Sequence, residues 1–475
     1  MIDLTKHSAS AELTKIINQD LISTEKKDMK VSKRYYEKEH DILDYRLFYV
    51  DSDGVTKEEK NRSNIKIPYP FYTEIIDQKV NYLLGQQVEF NTNNEQLESL
   101  LKNYIDPNFY QLLDDLVEGA SLKGKEGVHY YYDSKGMIRF EIADAYNLIF
   151  LNDEYGELSQ VIRHYTVKAD KNGKQEMIQK AEVFTAEGVY YFVKNNNTYV
   201  IDKTKTLNPQ PYRMLKKGDT LYKPNVAQKL PILLMENNKQ QTTDLNGIKD
   251  LIDNYDLNAS SLSNNLQEFD YPIYAVRGFE GDNLDNLVNN LQTRKTIGVS
   301  QDGGLDVHQL DVKYEARKAK LDIDKEAIYR FSMSFDSSAN SNGDRALTNI
   351  GIKSRYSLLD IKANKTETRL RKVLNQMLEL ILENIKELTN QSFEVSEIEV
   401  VFNRSALTNE KELAEQENLQ AQALLTRINA IMNTSLILDS QLLAELLAKE
   451  LGLESDEVIK LIKSEDYIEP LNIGE

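Results

Sequence analysis

The stretch LNGIKDLIDNYDLNASSLSNNLQEF, residues 245–269, carries the strongest periodic pattern in the chain. Its large apolar side chains recur at alternating intervals of three and four residues, which places them on one continuous seam along a helix. The pattern predicts a helix of nearly four heptads that packs along a second helix. The seam consists of Leu245, Ile248, Ile252, Tyr255, Ala259, Leu262, Leu266 and Phe269.

The remaining faces of this predicted helix are acidic. They carry Asp244, Asp250, Asp253 and Asp256, and only Lys249 balances these charges. Unpaired carboxylates stay in contact with water because burying them is costly. We therefore expect the helix to expose one acidic side.

The chain after this stretch predicts a small insertion, a partner helix, a polar loop and a long helix. Residues 271–310 have a strand, helix, strand pattern, and residues 314–335 predict the second helix. Residues 336–345 are polar, with Ala339 as their one apolar side chain, so we expect a mobile loop. Residues 350–388 contain no proline and predict a helix roughly 55 Å long. Its core face is marked by Leu370, Val373, Leu374, Met377, Ile381, Ile385 and Leu388.

The chain before the seam predicts an α+β region. Residues 127–234 contain short runs rich in Tyr, Val, Ile and Phe, separated by turn sequences, which predict antiparallel hairpins. Upstream, Pro68 and Pro70 predict an extended segment before a helix that Gly85 ends. Residues 393–402 alternate like a single strand, and amphipathic helices follow. The predicted fold class is α+β and predominantly helical.

Composition limits the kind of protein. The chain has 475 residues, enough for two or more structural regions, and no cysteine, which excludes disulfides and thiolate chemistry. Its net charge of −18 opposes tight, non-specific binding to a phosphate backbone. Half of that excess lies in residues 409–475, which hold 14 acidic and 5 basic residues. There is no signal-peptide pattern and no stretch of roughly 18 apolar residues, so we expect a soluble, intracellular protein.

The usual catalytic motifs are missing from the sequence. It has no phosphate-binding GxxxxGKS/T loop, no GxGxxG turn and no HExxH or GxSxG motif. The five histidines have no ligand spacing, and we interpret them as surface or strand residues. They are His7, His40, His129, His164 and His308.

The order of these parts resembles the portal proteins of siphovirus-type tailed phages. The best local match lies in residues 64–90, where that family has a segment of the type I-V-D-x-K-x-x-Y-L-x-G-x-P and this chain has IIDQKVNYLLGQQ at residues 75–87. Gln87 stands where the family has proline, a departure that leaves the predicted helix intact. Residues 127–136 and the segment SANSNGDRAL, residues 338–347, are also similar to the family. The resemblance covers nearly the whole chain.

The resemblance implies a ring around a central DNA tunnel, usually of twelve subunits, or of thirteen when isolated. It also divides the chain into the regions that the family calls wing, stem, clip, tunnel loop and crown. These would be residues 1–240 and 350–403 for the wing, 241–270 and 311–335 for the stem, 271–310 for the clip, 336–349 for the tunnel loop and 404–475 for the crown.

The resemblance further implies which side chains carry the function. Ringed carboxylates in the tunnel would repel phosphates and keep DNA from sticking. Arg345 has two open interpretations, contact with the DNA backbone or an ion pair with Asp344. No catalytic residue, cofactor or metal is expected. The expected sites are tunnel-loop DNA contacts at Asn340, Asn342, Asp344 and Arg345, tunnel-lining acids at Asp250, Asp253 and Asp256, and a partner-binding clip surface at Arg277, Phe279, Arg294 and Lys295.

The implied partners are those of a capsid portal vertex. They are further copies of the chain, transiently bound double-stranded DNA, the terminase large subunit, a head-completion or connector protein, and the major capsid and scaffolding proteins, with no membrane. The protein would reside in the virion after assembly in the bacterial cytoplasm.

Two alternatives to a portal stay open. One is a metal-dependent nuclease that holds Mg²⁺ at Asp114 and Asp115, although such pairs arise by chance among 76 acidic residues. The other is a different structural head or tail protein, which would form sheets, shells or tubes instead of closed rings.

Overall fold

The computed structural model describes most of the chain in two compact units. Contacts group Met1–Ser341 with Tyr356–Ser405, and they group Asn342–Arg355 with Ala406–Glu475. The described residues are 2–4, 6, 8–60, 62–171, 174–212, 215–217, 220–222, 229–269, 273–279, 299–308, 314–336, 349–404, 410–433, 442, 445–447 and 449.

The long helices predicted from the apolar periodicity are present. Helix α6 corresponds to the seam, α7 to its predicted partner, and α8 to the long proline-free run. With 41 residues, α8 is about 60 Å long. In chain order the helices are α1 (Ala9–Leu21), α2 (Thr24–Tyr36), α3 (Phe71–Leu84), α4 (Glu95–Leu101), α5 (Pro107–Lys123), α6 (Lys249–Phe269), α7 (Tyr314–Ser332), α8 (Asn349–Thr389) and α9 (Glu410–Asn433).

The strands lie in small antiparallel sheets, as the hairpin pattern predicts. In chain order they are β1 (Phe48–Val50), β2 (Thr56–Glu58), β3 (Glu89–Asn91), β4 (Lys125–Tyr132), β5 (Ile138–Ala143), β6 (Leu148–Asn152), β7 (Leu158–Lys171), β8 (Lys174–Thr185), β9 (Gly188–Asn195), β10 (Thr198–Ile201), β11 (Leu215–Lys217), β12 (Thr220–Tyr222), β13 (Ile232–Glu236), β14 (Ile273–Phe279), β15 (Val299–His308) and β16 (Glu399–Val401). The larger sheets have the orders β10-β9-β8-β7-β6 and β13-β4-β5, and the remaining pairs are β1-β2, β11-β12, β14-β15 and β16-β3.

The main core lies between α5, α8 and the sheet of β4 and β5. Leu116 and Val117 of α5 belong to the same apolar cluster as Leu374, Met377 and Ile381 of α8, and all of them are fully buried. The predicted core face of α8 is therefore correct over most of its length. Its last position is wrong, because Leu388 is 47% exposed in the final turn, beyond the part of the helix that the core covers.

A tight passage from α5 into β4 depends on one glycine. Gly124 ends α5 with φ +81°, a left-handed conformation that other residues rarely adopt. A Cβ atom there would lie 2.1 Å from the carbonyl oxygen of Gln241. This close approach brings the start of β4 beside the chain that leads into α6.

Three predicted boundaries differ from the structure. Helix α6 begins at Lys249 instead of residue 245, because a turn containing Gly247 comes first and glycine is a poor helix former. Helix α7 ends at Ser332 instead of residue 335, since Met333 turns into the left-handed region with φ 58°. The strand predicted over residues 393–402 is reduced to β16, because a capped 3₁₀ turn, Val395–Glu397, precedes it.

Much of the predicted insertion and carboxyl-terminal region lies outside the described residues. Strands β14 and β15 form the predicted antiparallel pair, but residues 280–298 between them are not described. The same holds for residues 337–348 and 450–475. No helix among the described parts of the chain is long and apolar enough to cross a membrane.

Candidate functional site at the α6 and α7 helix pair

Helices α6 and α7 pack against each other in antiparallel directions. Near the start of α6, the Asn254 amide donates to Asp324 at 2.8 Å, and further along, the Asn265 amide lies 2.6 Å from the Arg317 guanidinium. Ile252 belongs to the same apolar cluster as residues of α3 and α7. The prediction that the seam packs along a second helix is therefore correct.

The cover of the seam changes along α6. Leu245, Ile248, Ile252 and Ala259 are buried, whereas Leu266 is 44% exposed. Aromatic rings close the buried half, since the Phe71 ring makes edge contacts with Tyr255 at 4.8 Å and with Tyr329 at 5.9 Å. Among the described residues, the seam is thus largely buried in the first half of α6 and exposed at Leu266.

An extended segment, residues 63–69, runs antiparallel along a polar face of α6, and we call it the strap. Hydrogen bonds from alternate residues hold it, from Tyr69 N to Asp256 (2.9 Å), from Ile67 N to Ser260 (3.0 Å), from Ile65 N to Asn264 (2.6 Å) and from the Ser63 hydroxyl to Gln267 (2.6 Å). Two residues of extended chain advance about 6.6 Å, and four residues of helix advance about 6 Å. The two repeats are close in length, so every second residue of the strap meets every third or fourth residue of α6.

The strap contacts Asp256, one of the predicted tunnel acids, and this residue is not exposed. Asp256 is fully buried, with one oxygen on the Tyr69 N–H and the other 2.6 Å from Nδ1 of His40. Nε2 of the same ring lies 3.1 Å from the carbonyl oxygen of Tyr35. The carbonyl oxygen of Tyr35 accepts from Nε2, and His40 and Asp256 form a buried hydrogen-bonded pair. The interpretations of Asp256 as an exposed acid and of His40 as a surface or strand residue were wrong.

The other two predicted acids lie closer to solvent. Asp253 accepts from Lys249 at 2.6 Å and from the hydroxyl of Tyr35. Burial lowers the pKa of Lys249, but hydrogen bonds to Asp253 and Asp41 outweigh burial and raise it. Asp250 is exposed. Of the acidic side predicted for α6, Asp250 is the exposed member and Asp253 is neutralised by its partners.

Helix α3 holds both ends of the segment that contains the predicted tunnel-loop residues. On one side, the Gln78 amide donates to the carbonyl of Phe335 at 2.7 Å and accepts from its N–H at 3.1 Å. On the other side, the Tyr356 ring stacks on Phe335 at 4.8 Å and on Tyr82 at 5.7 Å. The predicted contacts Asn340, Asn342, Asp344 and Arg345 lie outside the described residues, but their flanks are fixed to α3.

A buried charged cluster joins the elements around these flanks. The Lys79 ammonium donates to Ser121 at 2.8 Å, to Asn237 at 2.8 Å and to Asp244 at 3.1 Å. Lys362 of α8 lies 3.0 Å from the same carboxylate and also donates to the carbonyl of Ser332, the last residue of α7. The cluster therefore ties α3, α5, α7 and α8 to the start of α6.

Burial and charge act in opposite directions in this cluster. Burial alone would raise the pKa of Asp244, but Lys362 and Lys79 outweigh it and hold the pKa well below its usual range. Burial lowers the pKa of Lys79 to about 8, against the attraction of Asp244. The carboxylate is therefore ionised at neutral pH.

Sequence reasoning missed Gln78 and Lys79 as functional candidates, although both lie in the segment that resembles the family. A signal was present, because Lys79 occupies a position on the same helical face as the apolar Ile75, Ile76, Tyr82 and Leu83. A lysine on a core-facing position requires a buried partner. Its partner, Asp244, is 165 residues away in sequence and cannot be identified from spacing.

The predicted clip surface is described in part. Arg277 is exposed on β14 and forms an ion pair with Asp306 of β15 at 2.9 Å. Phe279 ends β14 opposite Val299, after a shift in the strand register. Arg294 and Lys295 lie outside the described residues.

The acidic pair of the nuclease alternative lies on α5. Burial and the neighbouring charge of Asp115 raise the pKa of Asp114. Within the described ranges, no group of three or more His, Asp or Glu side chains is arranged to hold a metal ion.

Comparison with known proteins identifies the family. A family described as "Phage portal protein, SPP1 Gp6-like" matches residues 17–465, nearly the whole chain. The chain belongs to the phage portal protein family. This portal chain is 28% identical over 386 residues to the portal protein of Bacillus phage SPP1, covering 80% of this chain and 75% of that one. The resemblance inferred from residues 75–87 and from the order of parts is confirmed, and the α+β architecture is that of a portal.

Two further relatives were found for this portal chain. It is 24% identical over 367 residues to the portal protein of Clostridium phage phiCD119, covering 74% of this chain and 78% of that one. A solved structure titled "Neck of native GTA particle computed with C12 symmetry" aligns with 81% of this chain and 90% of its own, at 12% identity and a TM-score of 0.37.

Proposed function

We propose that copies of this chain assemble into a closed ring of twelve subunits, or of thirteen when isolated, that conducts double-stranded DNA into and out of a phage capsid. The observation that carries the proposal is the family match over residues 17–465. The exposed Leu266 on the α6 seam supports it. Covering this apolar side chain with the surface of another copy would stabilise the assembly. The ring would occupy the portal vertex of the virion after assembly in the bacterial cytoplasm.

The regions expected from the resemblance can be assigned to elements as part of this proposal. Helices α6 and α7 form the stem, and β14 and β15 belong to the clip. The other sheets, α1 to α5 and most of α8 form the wing, residues 336–349 form the tunnel loop, and α9 belongs to the crown.

The proposed channel avoids strong contact with DNA. Asp250 is an exposed acid of α6, and a ring of such carboxylates repels phosphates at close range. Asp253 contributes less, because Lys249 neutralises it. Weak contacts allow DNA to move through the channel, whereas a basic channel would hold it.

The segment between α7 and α8 is the proposed DNA contact. Asn340, Asn342, Asp344 and Arg345 would touch the backbone without reading its sequence. The fixed flanks at Phe335 and Tyr356 support this role, because a contact that must meet DNA in every copy needs a defined base.

The clip hairpin is the proposed docking surface for the packaging and connecting machinery. Arg277, Phe279, Arg294 and Lys295 would bind the terminase large subunit and, later, a head-completion protein. Arg277 supports this assignment, since its exposed ion pair with Asp306 is the weak kind that a partner can replace. Capsid and scaffolding proteins would bind elsewhere on the ring. The chain itself would act as a conduit without catalysis.

Electron microscopy of the purified protein tests the proposal. Negative-stain images should show rings with an axial hole, and native mass should be near twelve or thirteen times 54.7 kDa. A stable monomer at high protein concentration would contradict the ring. Sheets or tubes would favour another structural head or tail protein, and Mg²⁺-dependent DNA cleavage that Asp114→Ala and Asp115→Ala abolish would favour the nuclease.

A further inference from the structure

The hairpin of β1 and β2 is a well-formed element with an apolar face that the described residues leave uncovered. Its turn is built by Asp51, whose side chain accepts the N–H groups of Asp53 at 3.0 Å and Val55 at 2.9 Å, and by Gly54 with φ +77°. Phe48 and Val50 lie two residues apart, hence on one face of the ladder, and they are 61% and 65% exposed.

The strap lies close to this hairpin in the chain. Residues 59–62 separate it from the end of β2, and residues 63–69 are bonded along α6. A two-stranded hairpin without a covering layer is marginally stable in water. The hairpin therefore has an ordered turn, and its apolar face would gain stability if another surface covered it.

A second uncovered apolar surface lies on α7. Ala319, Ile323, Ala327 and Phe331 recur at every fourth residue, which aligns them along one side of the helix. Ile323 is 62% exposed and Phe331 is 64% exposed. We call these four residues the α7 stripe.

The charge of the hairpin indicates which kind of partner fits it. Residues 45–62 contain four basic and four acidic side chains, whereas the whole chain carries −18. DNA would require a clear excess of positive charge. Two copies of an acidic chain repel each other except where they meet through neutral, apolar surfaces. A second copy of this chain is therefore the partner that the hairpin fits.

We propose that the Phe48 and Val50 face of the hairpin packs on the α7 stripe of a neighbouring copy. This inference rests on the ring proposed above and names the surfaces that join its subunits. Because the hairpin and the stripe are different surfaces of one chain, the contact is head-to-tail, and such contacts generate rings when the rotation between copies closes.

Site-directed photocrosslinking tests the contact. The chain has no cysteine, so Phe48→Cys can be labelled at one position with a benzophenone maleimide. Illumination of assembled rings should produce covalent oligomers, with the link in the α7 peptide that contains Ile323. Tyr155→Cys, on an 84% exposed turn position, is the matched control and should give no link to α7. Rings of the labelled Phe48→Cys variant that never link to α7 of another copy would overturn the inference and leave the proposed ring intact.

A substitution provides the second measurement. Phe48→Ser with Val50→Ser removes apolar surface that is already exposed in one chain, so the thermal midpoint of the monomer should stay unchanged. Ring yield should fall about tenfold. A tenfold change in an equilibrium corresponds to about 1.4 kcal/mol, and burial of a Phe and a Val side chain contributes more than that. Met177→Ser, an exposed position on β8, should leave ring yield unchanged. Equal ring yield for the double variant and the wild type would refute the contact alone. A wild-type chain that forms no rings would contradict both the contact and the proposed function.

Discussion

The side-chain amide of Gln78 is bonded twice to the backbone of Phe335, donating to its carbonyl and accepting from its N–H. Two bonds to one residue fix its orientation as well as its position. The Phe335 ring then stacks on Tyr356, on the far side of residues 337–348. A single helix, α3, thereby contacts described residues on both sides of that segment.

Gln78→Ala should impair DNA packaging more than it impairs ring assembly. Loss of two hydrogen bonds should reduce the free energy of unfolding by about 1–3 kcal/mol, while the base of the proposed tunnel loop loses its position. The measurement is nuclease-protected DNA per capsid, with ring yield recorded in parallel. Gln86→Ala, exposed just beyond the same helix, is the control, and equal packaging by the two variants would argue against the role of the amide.

Lys79→Met should be among the most destabilising single changes in the chain. It removes one of two cations that neutralise the buried Asp244, and breaking a buried ion pair costs about 3–5 kcal/mol. Urea unfolding of the monomer measures the loss. Lys102→Met, whose side chain is 73% exposed, should change stability by less than about 0.5 kcal/mol. A loss no larger than that of the control would show that the cluster does not stabilise the fold.

The stability supplied by Asp244 should depend on pH in a defined direction. Its pKa in the folded chain lies below the unfolded value near 4. The stabilisation is therefore fully present above about pH 4 and is lost as the pH falls through the folded pKa. Thermal midpoints of the wild type and Asp244→Asn should differ by a constant amount between neutral and mildly acidic pH, and the gap should shrink in stronger acid. A difference in thermal midpoint that grows in stronger acid would contradict the lowered pKa of Asp244.

Asp256→Ala and Asp250→Ala should separate a structural acid from an exposed one. Removal of Asp256 leaves the buried His40 ring and the Tyr69 N–H without their partner and should cost about 1–3 kcal/mol for each unpaired group. Removal of the exposed Asp250 should change stability by less than about 0.5 kcal/mol, while the rings bind DNA more tightly at low salt. Calorimetry gives the first comparison and a DNA-binding titration gives the second. Similar losses of stability in both variants would contradict the assigned burial.

The sequence predicted the elements that have their own periodicity. The seam of α6 and the core face of α8 repeat at helical spacing, and the hairpins alternate between turns, so local pattern was sufficient for them. The order of these elements along the chain then led to the family, although no catalytic or metal motif pointed to a function.

The sequence failed where a partner has no side-chain signature. The sequence predicts an exposed Asp256 because Lys249 is the one basic residue near it, yet its partners are a backbone N–H of the strap and His40, 216 residues away. Lys79 and Asp244 are likewise joined only by the fold. Polar residues that bond to distant backbone therefore look like exposed ones until the chain path is known.

The strap also decides how α6 is rotated about its own axis. Its acceptors lie at every third or fourth residue of the helix, and a rotation by one residue, about 100°, would move all of them away from the strap. The direction of the Asp250 side chain relative to the body of its unit is therefore fixed by backbone N–H groups. In a symmetric ring, identical directions would place these carboxylates on one circle, whose radius and number of copies together determine the distance between neighbouring charges.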